Sequence, residues 1–223
     1  MDSIFKGELK TRAGRRNAWL DALFVDHAIF RLWWTNFAPV DPGRLYRSNH
    51  PTPRNLAAFT RRVGLHSLIN LRGEAKNGSD ALSREMAMRL GLDFYDMALE
   101  SRGAPQRDRI LRLAEIYRAM RAPGLIHCKS GADRAGLAAG LYVLMQGGST
   151  AAALSQLSLR FGHIRQSKTG ILDRFFHTYA KEGEGRKPFL DWVRDDYDEE
   201  RLRAEQKPGR LASFINDTLL RRE

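Results

Sequence analysis

The 223-residue chain contains one cysteine, Cys128. A single thiol cannot close an intramolecular disulfide and cannot furnish a cysteine-rich zinc site, so neither device is available to hold the fold. A thiol left free also fits a reducing compartment. Long apolar runs are missing as well: nowhere do about 18 uncharged apolar residues follow one another, so no membrane-spanning helix is expected. The opening MDSIFKGELK has neither the apolar core nor the small-residue cleavage site of a signal peptide. These absences predict a cytoplasmic protein, with room for peripheral contact at the inner membrane face. There is no internal repeat and no long Gly/Ser/Pro linker to force independent domains. The expected organisation is one principal domain over residues 41–182, with helical extensions at 1–40 and 183–223.

What is present is a globular composition, with 43% hydrophobic and 28% charged residues and enough length for a sizeable core. The net charge of +11 implies attraction to anionic partners and says nothing about fold. Residues 17–37, NAWLDALFVDHAIFRLWWTNF, predict a helix ended by the turn PVDPG. RLYRS and HSLINL predict short strands around a helix that Thr52 caps, Pro53 starts and Gly64 ends. SDALSREMAMRLG predicts a helix with Ser79 as cap and Gly91 as stop, followed by the strand DFYDMAL, the loop ESRGAP and a helix over 106–121. GLIHC is short and apolar enough for a buried strand, AGLAAGLYVLMQGG reads as a helix, and the chain from Thr150 onward reads as helical. Alternating strands and helices predict an α/β fold with a small, mostly parallel central sheet flanked by helices.

The stretch GLIHCKSGADRAG, residues 124–136, places Cys128 where a strand would end and a helix begin. Open α/β sheets bind ligands at that position. Amides of Lys129, Ser130, Gly131, Ala132, Asp133 and Arg134 could curl around a phosphate, with Gly131 relieving the tight curve and the helix dipole adding positive potential. Arg134 follows Cys128 after five intervening residues, and its planar fork suits two phosphate oxygens. The same field favours the thiolate, the nucleophilic form.

HCKSGADRAG resembles the HCxxGxxR signature of the protein tyrosine and dual-specificity phosphatase superfamily of cysteine-dependent phosphatases. LYRSNHPTPRNL, INLRGE and LSLRFGHIRQSKTGILDRFF look similar to segments of its compact bacterial dual-specificity-like branch, so the resemblance spans about residues 44–180. It implies the phosphatase fold and a phosphocysteine mechanism without cofactor or metal. In that mechanism Cys128 attacks phosphorus, Arg134 and the loop amides hold the oxygens, and an acid protonates the leaving group. The family's acid is an upstream Asp on a mobile loop. Here Asp96 and Asp133 are equal candidates and Glu100 stands behind them. The family places Ser or Thr after the loop arginine, whereas this chain has Ala135. Breakdown of the intermediate is then expected to be slow, or to depend on Ser130.

Around this centre, His127 is expected to orient the loop. Arg72 is expected either at the site or in an ion pair with Glu74 or another carboxylate. His163, Arg165 and Lys168 in GHIRQSKTG are candidates for a substrate mouth. The implied partner is a phosphorylated protein, lipid or small molecule, with a protein tyrosine or dual-specificity activity first and a lipid or inositol phosphate activity as the alternative. The rival outside enzymology is a catalytically silent phosphate-binding module. Nucleic acid is not expected, since charge is its only signal and no RNA-recognition, zinc-finger or helix-turn-helix signature is present. Lys6, Lys10, Arg12, Arg15 and Arg16 precede Trp19, Leu20, Leu23, Phe24, Ala28, Ile29, Phe30, Trp33 and Trp34. Asp21, Asp26, His27 and Arg31 interrupt that run, so it either lies on an anionic bilayer or docks as an ordinary amphipathic helix.

Overall fold

A computed structural model describes residue 5 and residues 9–26 and 33–205. The predicted Lys6, His27, Ala28, Ile29, Phe30 and Arg31 lie outside the described residues, as does the chain beyond residue 205. Five strands form one sheet in the order β1-β2-β5-β3-β4. They are β1 (Ala38–Asp41), β2 (Leu45–Ser48), β3 (Ser67–Asn70), β4 (Asp93–Asp96) and β5 (Gly124–His127). β2, β5, β3 and β4 run parallel, while β1 pairs antiparallel with β2 at the edge. The expected α/β class with a mostly parallel sheet is therefore the class observed.

The chain divides into two compact units, residues 1–98 with 119–131 and residues 99–118 with 132–223. The first holds the whole sheet, together with α1 (Arg12–Leu20), a π-helical turn (Asp21–Val25), α2 (Pro53–Val63) and α3 (Gly78–Arg89). Leu56 and Phe59 of α2 and Ala87 of α3 pack with Leu68 and Leu125 of the sheet, and Phe37 stacks on Phe59 at 4.1 Å. β3 and β5 are buried at every position, which is why they read as continuous apolar runs rather than alternating ones. α2 has its expected ends: Thr52 accepts from the Asn55 N–H, and Gly64 takes the left-handed conformation at φ 69°.

Three expectations need correction. The amino-terminal helix starts at Arg12, where Thr11 caps it, and residues 34–37 are not helical. PVDPG is not merely a turn, because Ala38–Asp41 forms β1; Pro39 is tolerated since edge strands leave backbone N–H groups unpaired. The cap of α3 is Asn77, whose side chain accepts from Asp80 N–H at 2.9 Å, and not Ser79. Ser79 instead lies buried inside the first turn.

The second unit is helical: α4 (Arg107–Ala119), α5 (Asp133–Met145), α6 (Thr150–Ser155), α7 (Ile171–Glu182), α8 (Phe189–Asp195) and α9 (Glu199–Glu205). Its core is aromatic, with Phe175 meeting Phe176, Phe189, Trp192 and Tyr197 at centroid distances of 5.0–6.2 Å. The small residues of α5 serve close packing. A Cβ on Gly140 would stand 2.5 Å from the Phe176 ring and 2.9 Å from the Ala153 carbonyl.

Candidate active site

β5 ends at His127, so Cys128 is the first residue beyond the strand. It is 2% exposed, and its Sγ accepts the N–H of Gly131 at 3.2 Å. Gly131 has φ +78°, and a Cβ there would stand 2.7 Å from Asn49 N and 2.9 Å from both Asn36 Cβ and Ser48 C. Glycine is therefore required twice, by conformation and by space. The backs of the loop residues are tied to the first unit. The His50 N–H donates to the Lys129 carbonyl at 3.2 Å, the Asn36 side-chain amide to the Ser130 carbonyl at 2.9 Å, and the Arg47 guanidinium to the Gly131 carbonyl at 2.7 Å.

Arg47 and Asn36 were not picked out by the sequence reading. Arg47 is fully buried on β2 between strands β1 and β5, and a charged residue in a strand that must be covered on both faces is the signal that could have found it. Asn36 is the one non-glycine residue with positive φ among the described residues, at 52°. Asparagine tolerates that region better than other side chains.

His127 is fully buried, and its ring meets the His50 ring edge-on at 4.6 Å. Arg72 forms a bidentate pair with Asp26 at 2.9 and 3.0 Å, so its carboxylate partner comes from the amino-terminal segment and not from Glu74. Lys129 Nζ approaches the same Asp26 at 4.0 Å, and Arg72 Nη1 lies 3.3 Å from His50 Nδ1. Asp96 closes β4, where Arg84 donates to it at 2.7 Å and the Asn70 amide at 3.1 Å. Arg84 also holds Asp80 at 2.7 Å; burial pushes that carboxyl up while Arg84 opposes the rise.

In the second unit, Asp133 and Arg134 occupy the first turn of α5. Arg134 lines an open pocket of about 390 Å³ with Leu99, Glu100, Ser101, Arg102 and Gly103. Glu100 accepts from the Gln106 side-chain amide at 2.7 Å. Asp133 is engaged differently, by His163 Nδ1 at 2.7 Å, while His163 Nε2 meets Asp173 at 2.6 Å. Burial opposes a charge on His163, but the two carboxylates outweigh it and lift its pKa to about 9. His163 is thus a buried imidazolium joining two helices and not an exposed mouth residue. Arg165 donates to Asp173 at 2.9 Å while remaining largely exposed, and Lys168 stands exposed in the turn before α7. Ala135 is fully buried in α5, and the Ser130 side chain is part-exposed.

No protein-family model matches the chain, and no curated protein sequence matches it. Solved structures do. The core catalytic domain of the PP-IP phosphatase SIW14 from S. cerevisiae, in complex with citrate, is 22% identical with a TM-score of 0.51, covering 66% of this chain and 91% of that one. A second structure of the Siw14 catalytic core has a TM-score of 0.54 at 20% identity, covering 69% and 89%. A DUF442 protein from Shewanella putrefaciens, described as a phosphatase, has a TM-score of 0.50 at 18% identity, covering 70% and 99%. The chain shares the fold of these phosphatase structures.

Proposed function

We propose that the chain hydrolyses phosphomonoesters through a phosphocysteine intermediate, most directly as a protein tyrosine or dual-specificity phosphatase. One observation carries the reading: Cys128 leaves a buried strand with its sulfur facing a loop amide, in the register HCKSGADR that ends at Arg134. The Cys128 thiolate attacks phosphorus and the bond from phosphorus to the ester oxygen breaks. The departing oxygen takes a proton from a carboxylic acid. Water then attacks the thiophosphate, the S–P bond breaks, the thiolate is restored, and the proton from water returns to the carboxylate. Arg134 and the loop amides hold the non-bridging oxygens, where charge concentrates in the transition state.

Of the three acid candidates, Glu100 is favoured, because it lines the same pocket as Arg134. Asp96 is instead engaged by Arg84 and Asn70, and Asp133 by His163. Ser130 is the hydroxyl available to assist expulsion of the thiolate in place of the one Ala135 lacks. The test is hydrolysis of an aryl phosphate without added metal. Cys128→Ser should abolish turnover while vanadate still binds, and Arg134→Lys should be severely impaired because a point charge does not reproduce a planar fork. Turnover surviving in Cys128→Ser would defeat the reading.

A second reading, an inositol or lipid phosphate activity at a membrane surface, is favoured by the amino-terminal segment. α1 and the π-helical turn after it pack on α3 through Ala18 and Ala22 against Leu82, and Arg15 pairs with Glu85 at 2.8 Å. The opposite side keeps Leu20 and Phe24 exposed, the latter at 58%, and beyond them Trp33 is 83% exposed and Trp34 48%. Arg12 and Arg16 continue that exposed row in four-residue steps. A basic row leading into exposed tryptophans suits anionic lipid. No helix among the described residues is long and apolar enough to cross a membrane.

A further inference from the structure

We infer that Asn36 and Arg47 are positioning residues that aim the amides of the Cys128 loop at the substrate; the inference rests on the phosphatase reading above. Three consecutive loop carbonyls, of Lys129, Ser130 and Gly131, each accept a hydrogen bond from behind, from His50 N–H, Asn36 Nδ2 and Arg47 Nη2. None of the three peptide bonds concerned is cis. A planar trans peptide directs its C=O and the following N–H to opposite sides, so a carbonyl fixed backward fixes the next amide forward. The middle peptide shows the result: its carbonyl is held by Asn36 while its N–H, that of Gly131, points at Cys128 Sγ.

Without these ties a loop carbonyl could turn inward, where its oxygen would repel the oxygens of a phosphate. The ties themselves are well supported. Asn36 sits at φ 52° against Gly131, and its segment is fastened by Asn49 N–H donating to the Thr35 carbonyl at 2.8 Å and by the Asn49 side-chain amide donating to the Trp34 carbonyl. Arg47 reaches the loop from a fully buried position, where its donors need partners, and the Gly131 carbonyl is one of them at 2.7 Å. Neither side chain need touch the substrate; each acts through a peptide that does.

The test uses the full chain and four variants. Asn36→Asp keeps the shape and tolerates the positive φ but presents a carboxylate oxygen to the Ser130 carbonyl, and Asn36→Gly keeps the conformation without a donor. Arg47→Met keeps the length without a donor, and Arg47→Lys restores one. Loss of a preorganised donor acts mainly in the transition state, so kcat on an aryl phosphate should fall at least about ten-fold in Asn36→Asp and Arg47→Met. KM should stay within about three-fold and vanadate affinity should drop about ten-fold. Asn36→Gly should fall between Asn36→Asp and wild type, and Arg47→Lys should recover part of the loss. A generic loss of packing would lower thermal stability without this split and without rescue by lysine. If Arg47→Met does not fold, the Asn36 pair decides alone. Folded variants equal to wild type in both kcat and vanadate affinity overturn the inference, whereas a wild-type protein that binds no vanadate overturns the phosphatase reading and the inference with it.

Discussion

At the scale of single residues, chemistry and stability are separable by titration. His163 is charged in the folded state up to about pH 9, held there by Asp133 and Asp173 despite its burial. A group whose folded pKa lies above its unfolded value stabilises fully below the unfolded pKa, near 6.5 for histidine, and loses that contribution as pH rises through the folded value. The melting temperature should therefore decline between about pH 6.5 and 9, and His163→Gln should flatten that decline. A wild-type melting temperature constant over this window would contradict the imidazolium bridge. The acid is settled by leaving groups. Glu100→Gln should slow alkyl phosphates by about two to four orders of magnitude and activated aryl phosphates much less. The same signature in Asp96→Asn or Asp133→Asn, and not in Glu100→Gln, would move the role.

Elements set where these residues can act, and the turn between β5 and α5 is the most constrained. Gly131→Ala would force a side chain to within 2.7 Å of Asn49 N at a φ of +78°, so the loop must shift. Activity should fall about a hundred-fold or more, since several aimed amides move together. Activity near wild type would mean that the loop geometry is dispensable. The amino-terminal element makes its own prediction: anionic vesicles should bind the full chain in low salt and release it as salt rises, and replacing Trp33 and Trp34 by Ala should weaken binding. Equal recovery of both proteins with anionic and neutral vesicles would rule out the membrane reading.

Strand and helix assignments were legible wherever a short apolar run stood between turn signals, as in HSLINL and GLIHC, because burial on both faces leaves no alternation to confuse. β1 was hidden by Pro39 and Pro42, which read locally as a turn although an edge strand accommodates proline. The first helix was drawn too long because Trp33, Trp34 and Phe37 continue an apolar pattern where the backbone is no longer helical. The turn that carries Cys128 and Arg134 was legible because a strand and a helix flank one short stretch. Asn36 and Arg47 were not, since they meet the loop across 94 and 84 residues of chain, and no local pattern encodes a contact of that range.

On the scale of the whole molecule, the sheet-bearing unit carries Cys128 and the hydrogen bonds that back its loop, and the helical unit is built on an aromatic core. Trp192 is fully buried in that core. Trp192→Ala should cost about 3–5 kcal/mol of stability by chemical denaturation, as large aromatic truncations do. A smaller loss would mean that the helices are held by something other than this cluster. The central claim remains the covalent one, and acid quenching during turnover followed by mass spectrometry of the peptide containing residues 124–134 tests it most directly. Phosphate is expected on Cys128; turnover with phosphate on another residue, or undiminished in Cys128→Ser, would contradict the covalent reading.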